Sequence, residues 1–330
     1  MSLTLPDPLV LANVDDYLGP SSTRFFGSGY RKTTPALREL AIRHAPDGTT
    51  VMEARGSVRV GDHWSVKGST SQQPHLGTTD AIVLALEAAE ALLASRYAPS
   101  ILPAVYVREI TLTAGTTPIE DTLDDFPVTA TTTGQSNDGV MRVHMEMASM
   151  NAVMELHHPL CVASKANLRT ENPDALVGDA ALRVYGDIYK SRQTDIRDIT
   201  LDSSALTSRA TVAVTEPSPD MPASIGLEGA YQPGLSLMEG FVATLQLGQV
   251  LLYELDGISR ADSNTLWMRR TIIKASAPPS SIRTALPLDV KLRRSRILPL
   301  NGRNWRCADI VGRIGEHLEI TCDVAHELPL

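Results

Sequence analysis

Two stretches of the chain share one pattern, and this doubling constrains the fold more than any other feature. Pro233–Gln249 reads PGLSLMEGFVATLQLGQ and Pro74–Glu90 reads PHLGTTDAIVLALEAAE. They align without a gap, Asp80 falling on Glu239 at a spacing of 159 residues. Each opens on a proline, carries a carboxylate at the start of a helical run, and continues almost wholly apolar. Thr244, Gln246 and Gln249 are the polar exceptions in the second copy, and Gln246 and Gln249, like Glu87 and Glu90 in the first, sit three apart on one face. A helix apolar on nearly every side is buried in a core or spans a membrane. These runs fall short of the roughly 20 apolar residues a bilayer requires. The pattern therefore predicts two core helices, over 79–95 and 238–254, each wrapped by other elements.

The flanks repeat as well. Strand patterns at 25–31, 37–44 and 51–60 precede the first helix, with Asp47-Gly48 as a turn signal. After that helix, alternating or β-branched runs at 105–113, 126–133, 140–149 and 152–157 read as strands. The second half follows the same order, with strands at 196–201 and 208–214, the helix, then strands at 266–274, 287–293, 305–314 and 317–324. A lead-in over 1–24 and an Asn/Pro/Gly-bearing linker over 165–179 separate two repeats, 25–164 and 180–330. A single helix cradled by an antiparallel sheet, twice over, is an α+β arrangement. It resembles a double hotdog fold.

Bulk properties narrow the function classes. A length of 330 residues is comfortable for two cores. The formal charge of −8 argues against nucleic acid as partner. Cys161, Cys307 and Cys322 are odd in number and widely spaced, which predicts buried free thiols in a reducing cytoplasm and neither a disulfide framework nor a metal site. The N-terminus MSLTLPDPLV has no basic-then-apolar signal pattern, so a cytoplasmic protein without membrane attachment is expected. No dinucleotide fingerprint, P-loop or nucleophile elbow is present, and no cofactor is expected.

A helix N-terminus offers unpaired N–H groups and a partial positive charge. It can hold a thioester carbonyl and stabilise charge developing on it. His75, Asp80 and Glu239 stand at the two helix starts and are the candidate catalytic residues. His75 is the prime general base, because histidine titrates in the useful range. The second copy has Gly234 in its place, so one pseudo-site is expected to be live and the other decayed. Glu239 reaching His75 across the repeat interface would complete a His/carboxylate pair. The simpler role for both acids is capping their helix through its dipole, and for His75 a turn histidine bonded to backbone. His63, Trp64 and Lys67 form a polar-aromatic cluster suited to covering a substrate and holding a phosphate, or a loop anchored by one tryptophan. Thr78, Thr79 and Gln249 complete the candidate binding set. Tyr185–Gln193 and Arg269-Arg270 are basic or polar spots that could meet a phosphopantetheine or sugar phosphate, solvated surface being the simpler reading.

DDYLGPSSTRFFGSGYR at 15–31, HWSVKG at 63–68 and PHLGTTDAIVLALEAAE together resemble the avirulence D (AvrD) family. That resemblance implies a role in making syringolide-type acyl glycosides, in which a β-ketoacyl unit is joined to a ketopentose. The implied substrates are an acyl carrier protein or CoA thioester and a small hydroxylated acceptor. By analogy with A-factor biosynthesis enzymes, His75 would be base on the acceptor hydroxyl or on the acidic α-carbon. N–H groups near Thr78–Asp80 would hold the thioester carbonyl, and Lys67 or an arginine would grip a phosphate. The alternatives are a dehydratase, isomerase or cyclase on a carrier-bound intermediate, and a non-catalytic acyl-ligand-binding protein. A homodimer is compatible with either.

Overall fold

The computed structural model describes residues 8–61, 64–67, 70–132, 138–161, 167–215, 223–278 and 285–329. Its two long helices are α1 (Thr78–Arg96) and α2 (Leu237–Asp256), and every residue of α1 is buried. Among the described residues, fourteen strands form one antiparallel sheet around them. In chain order these are β1 (Leu9–Asn13), β2 (Thr34–His44), β3 (Thr50–Arg59), β4 (Tyr106–Thr113), β5 (Phe126–Thr132), β6 (Val140–Met147) and β7 (Met150–His157). They continue as β8 (Leu168–Thr170), β9 (Gln193–Asp202), β10 (Thr207–Thr215), β11 (Trp267–Ala275), β12 (Leu286–Leu300), β13 (Arg303–Ile314) and β14 (Leu318–Glu327).

The sheet order is β1-β9-β10-β12-β13-β14-β11-β4-β7-β6-β5-β3-β2-β8. Outward from the central β11–β4 pair the two halves run through matching elements, so the repeats join edge to edge. The inner strand faces alternate cleanly, as in Met52, Ala54 and Val58 of β3 or Leu288, Val290 and Leu292 of β12, and pack on the helices. This is the double hotdog arrangement, α+β with each helix lying in its own half of the sheet. Local detail repeats too. Glu39 and Asp198, 159 residues apart, both take a left-handed φ of 55° at a register break between the first two strands of their repeat, the signature of a β-bulge.

The terminal strands exchange repeats. β1 pairs with β9 of the second repeat, while β8 pairs with β2 of the first. The segments they lead are built alike. Each has a short helix ending on a positive-φ glycine (Asp15–Leu18 with Gly19, Asp174–Val177 with Gly178), then a 3-10 turn, then a buried arginine, Arg24 or Arg183.

Two strand expectations change. Residues 25–31 form turns ending in a 3-10 helix at Gly29–Arg31. Gly27 and Gly29 bring the chain so close to Ser21 O and Trp64 O that a Cβ would sit 2.2 and 2.7 Å away. The aromatics that read as strand formers pack inward, Phe26 edge-on to Phe241 of α2 at 6.2 Å. The strand expected at 287–293 extends to Leu300 and forms a long hairpin with β13 across Asn301 and Gly302, both at positive φ. Cys307 and Cys322 are buried free thiols, whereas Cys161 is exposed. Among the described residues no helix is long and apolar enough to cross a membrane, and no group of metal-ligating side chains gathers.

Candidate active site at the start of the first helix

A cavity of about 820 Å³ opens where the α1 N-terminus meets the flank of α2. Leu76, Gly77 and Thr78 bring the helix start to it, and Gln249 comes from α2. The walls are largely apolar, with Ile119, Met150, Leu266, Met268, Leu298 and Leu300 among them. The last two belong to the long β12–β13 hairpin and remain partly exposed at the rim.

His75 lines this cavity. Its ring lies between two indoles, edge-on to Trp64 at 4.7 Å and tilted against Trp267 at 4.9 Å. Nδ1 is 3.1 Å from the Gln73 carbonyl oxygen. A carbonyl only accepts, so Nδ1 carries the proton and Nε2 of the neutral ring is the basic nitrogen. Burial pushes the His75 pKa below its ordinary value, outweighing the Gln73 bond and Glu120. The ring is held neutral and competent as a base.

The helix start beside it is capped from within, by Asp80, and not from its N-cap residue. The N-cap of α1 is Gly77, which has no side chain to give the first N–H groups. Asp80 turns back to accept from Gly77 N–H at 3.2 Å and from Thr33 Oγ1 at 2.6 Å. It is wholly buried, which raises its pKa to about 6, and it does not line the cavity. Thr78 lines the cavity; Thr79 is buried behind it, and among the described residues its Oγ1 has no partner. Among the described residues, the indole N–H of Trp64 is likewise buried without an acceptor.

Lys67 is buried in the same wall. Its Nζ donates to Ser263 Oγ at 3.1 Å and to the Asn264 carbonyl. Ser263 Oγ in turn meets Tyr253 OH, which accepts from Gln249 Nε2 at 3.4 Å. Burial, then the neighbouring Arg260, lowers the Lys67 pKa to about 7. His63 falls outside the described residues. Cavity residues that the sequence reading passed over include Arg24, Phe25, Arg260 and Trp267. Arg24 was findable, since it stands 159 residues before Arg183 within segments of matching turns and glycines.

The equivalent place at the start of α2 is filled. Ser236 caps that helix, and Glu239 accepts from Ser236 N–H at 2.7 Å while pairing with Arg192 Nε at 3.0 Å. Gly234, which stands where His75 stands, gives its carbonyl to Arg192 Nη2 at 2.6 Å. Gly226, in the Lys67 position, is pressed against Glu90. Glu90 accepts from Arg183 at 2.5 Å and from Leu227 N–H at 2.7 Å, and Tyr185 OH donates to Glu228 at 2.5 Å. Tyr185, Tyr189 and Arg192 are therefore interior groups, not the solvated surface expected of 185–193. Glu239 is committed to Arg192 and Ser236 and is not brought into the cavity with His75.

Glu87 in this filled region carries a pH signature. Burial pushes its pKa up to about 8, opposed by Arg183 at 3.9 Å. The folded protein keeps a proton that the unfolded chain releases near 4.5. The associated stability is complete below that pH and is lost as pH rises toward 8. Glu87→Gln is expected to narrow the gap in melting temperature between pH 5 and pH 8. An unchanged gap in thermal melts would remove Glu87 as its source.

Comparison with known proteins adds the following. A conserved protein of unknown function with a hot dog fold from Alicyclobacillus acidocaldarius is 11% identical, with a TM-score of 0.41 over 92% of this chain and 98% of that one. The dehydratase domain from the CurF module of curacin polyketide synthase is 9% identical, with a TM-score of 0.36 over 88% and 96%. A putative thioesterase II from Thermobifida fusca is 12% identical, with a TM-score of 0.34 over 87% and 94%. Curated protein sequences give no match. Residues 9–329 match the family model described as Pseudomonas avirulence D protein (AvrD), and the chain belongs to the AvrD family.

Proposed function

We propose that this protein transfers a β-ketoacyl group from a carrier-protein or CoA thioester to a hydroxyl of a small sugar-like acceptor, without a cofactor of its own. The observation that carries the reading is His75, its Nδ1 on a backbone carbonyl, beside a helix start whose N-cap residue has no side chain, in one largely apolar cavity. His75 Nε2 takes the proton from the acceptor hydroxyl, and the oxygen attacks the thioester carbon. The carbonyl oxygen gains the negative charge and is held by the N–H groups at the start of α1. Collapse of the adduct breaks the C–S bond, and the thiolate leaves with the proton stored on His75. The apolar walls accept the acyl chain.

Dehydration by a His/carboxylate pair has less support. Among the described residues no aspartate or glutamate lines the cavity. The test is thiol release from a β-ketoacyl N-acetylcysteamine thioester, with and without a pentulose, followed by mass spectrometry of the products. Release that depends on the pentulose and yields its acyl ester is expected. Acceptor-independent loss of water would replace transfer with dehydration or cyclisation.

A further inference from the structure

The charge of the cavity wall is one-sided. Arg24, Lys67, Arg260 and Arg269 line it and, among the described residues, no carboxylate does. Two of the four cations are answered from behind the wall, Arg24 by Asp15 and Arg269 by Asp323 at 2.7 Å. The other two are not. Among the described residues, Lys67 meets only Ser263 Oγ and the Asn264 carbonyl. Arg260 Nη2, again among the described residues, meets only the Thr23 and Val66 carbonyls, at 3.0 and 2.8 Å. Its contact with Val66 places it beside Lys67, and each loses solvation on burial. Buried charges are normally paired, because neutral oxygens do not offset the cost of removing an ion from water. A guanidinium, and beside it a lysine whose charged form is weakened to a pKa of about 7, would both be stabilised on this cavity wall by an anion supplied from outside.

We propose that Lys67 and Arg260 form a subsite for a phosphate ester carried by one of the two substrates, an assignment that rests on the acyl-transfer reading. A guanidinium offers paired N–H donors to phosphate oxygens and a lysine adds a point charge. A dianion would neutralise both cations. The phosphate has two chemical sources, the pantetheine arm of the thioester and a phosphorylated acceptor.

Calorimetric titration compares 4′-phosphopantetheine with pantetheine, and a pentulose 5-phosphate with the free pentulose, on the full-length protein. One phosphate form is expected to bind at least about tenfold more tightly than its dephosphorylated partner, the scale of a charge-assisted contact. The pair that shows the preference names the source. Lys67→Met and Arg260→Gln should each abolish the preference, Arg260→Lys should restore part of it, and His75→Ala should leave it in place. Thermal melts of each variant check folding; Lys67→Met exchanges a buried charge for an apolar chain and is expected to fold. Equal binding within both pairs, or a preference that survives Lys67→Met, overturns the subsite. Such a result leaves acceptor-dependent thiol release untouched. Absence of acceptor-dependent thiol release in the wild-type protein, with its phosphate preference retained, refutes the transfer chemistry instead.

Discussion

His75→Ala is expected to lower kcat/KM for acceptor-dependent thiol release by about 10²–10⁴-fold, the range for a lost general base. The variant removes the nitrogen that Gln73 holds in one tautomer and opens a gap between Trp64 and Trp267. His75→Gln refills most of that gap without restoring a base, so it should be comparably inactive. The wild-type pH profile gives an independent check. Because burial lowers the His75 pKa, the acid limb of kcat/KM should fall below the ordinary histidine value of about 6.5. Near-full activity in both variants would exclude His75 from the chemistry. Full acid-side activity at every pH at which the protein remains folded would contradict its role as a base.

Arg183→Met is expected to destabilise the fold by about 3–5 kcal/mol, the scale for breaking a buried ion pair from one side. Arg183 binds Glu90 at 2.5 Å and Asp174 at 2.7 Å, and Glu90 is fully enclosed on α1. Without the guanidinium, Glu90 keeps, among the described residues, only the Leu227 N–H at 2.7 Å and must take up a proton to stay inside. Glu90→Leu in the same chain should recover much of the loss, since two apolar groups tolerate burial that a lone carboxylate does not. Chemical denaturation midpoints of the single and double variants measure this. A single variant as stable as the parent would mean that the filled pseudo-site is not held by this pair.

Much of this architecture was legible because helix period, strand alternation and the 159-residue spacing are local or additive signals. Both long helices appear within two residues of their expected ends. The side-chain network was less legible, since it depends on which segment crosses to which repeat. Residues 25–31 carry strand-forming aromatics, yet Gly27 and Gly29 decide their path through close backbone contacts that no propensity encodes. The charges at 183–192 look like surface because charged residues usually are. Only the fold reveals that Glu87, Glu90 and Glu239 wait for them inside. His75 and Lys67 were visible as chemistry-bearing residues, but Arg260 was not. It lies in an undistinguished loop, and its meaning comes from Val66 and Lys67, which are close only in space.

The exchange of β1 and β8 makes each half a lender to the other. A fragment cut in the region 162–166 would leave the first half without the strand that covers β2 and without Arg183 for Glu90. The second half alone would expose the flank of β9 and leave Gln246 without Arg24. Neither piece is an autonomous module, whereas the two synthesised together should reassemble as a clasped pair. The ancestor before gene fusion is then best pictured as two identical subunits with interlocked arms, and fusion as what freed one of its two pockets to close.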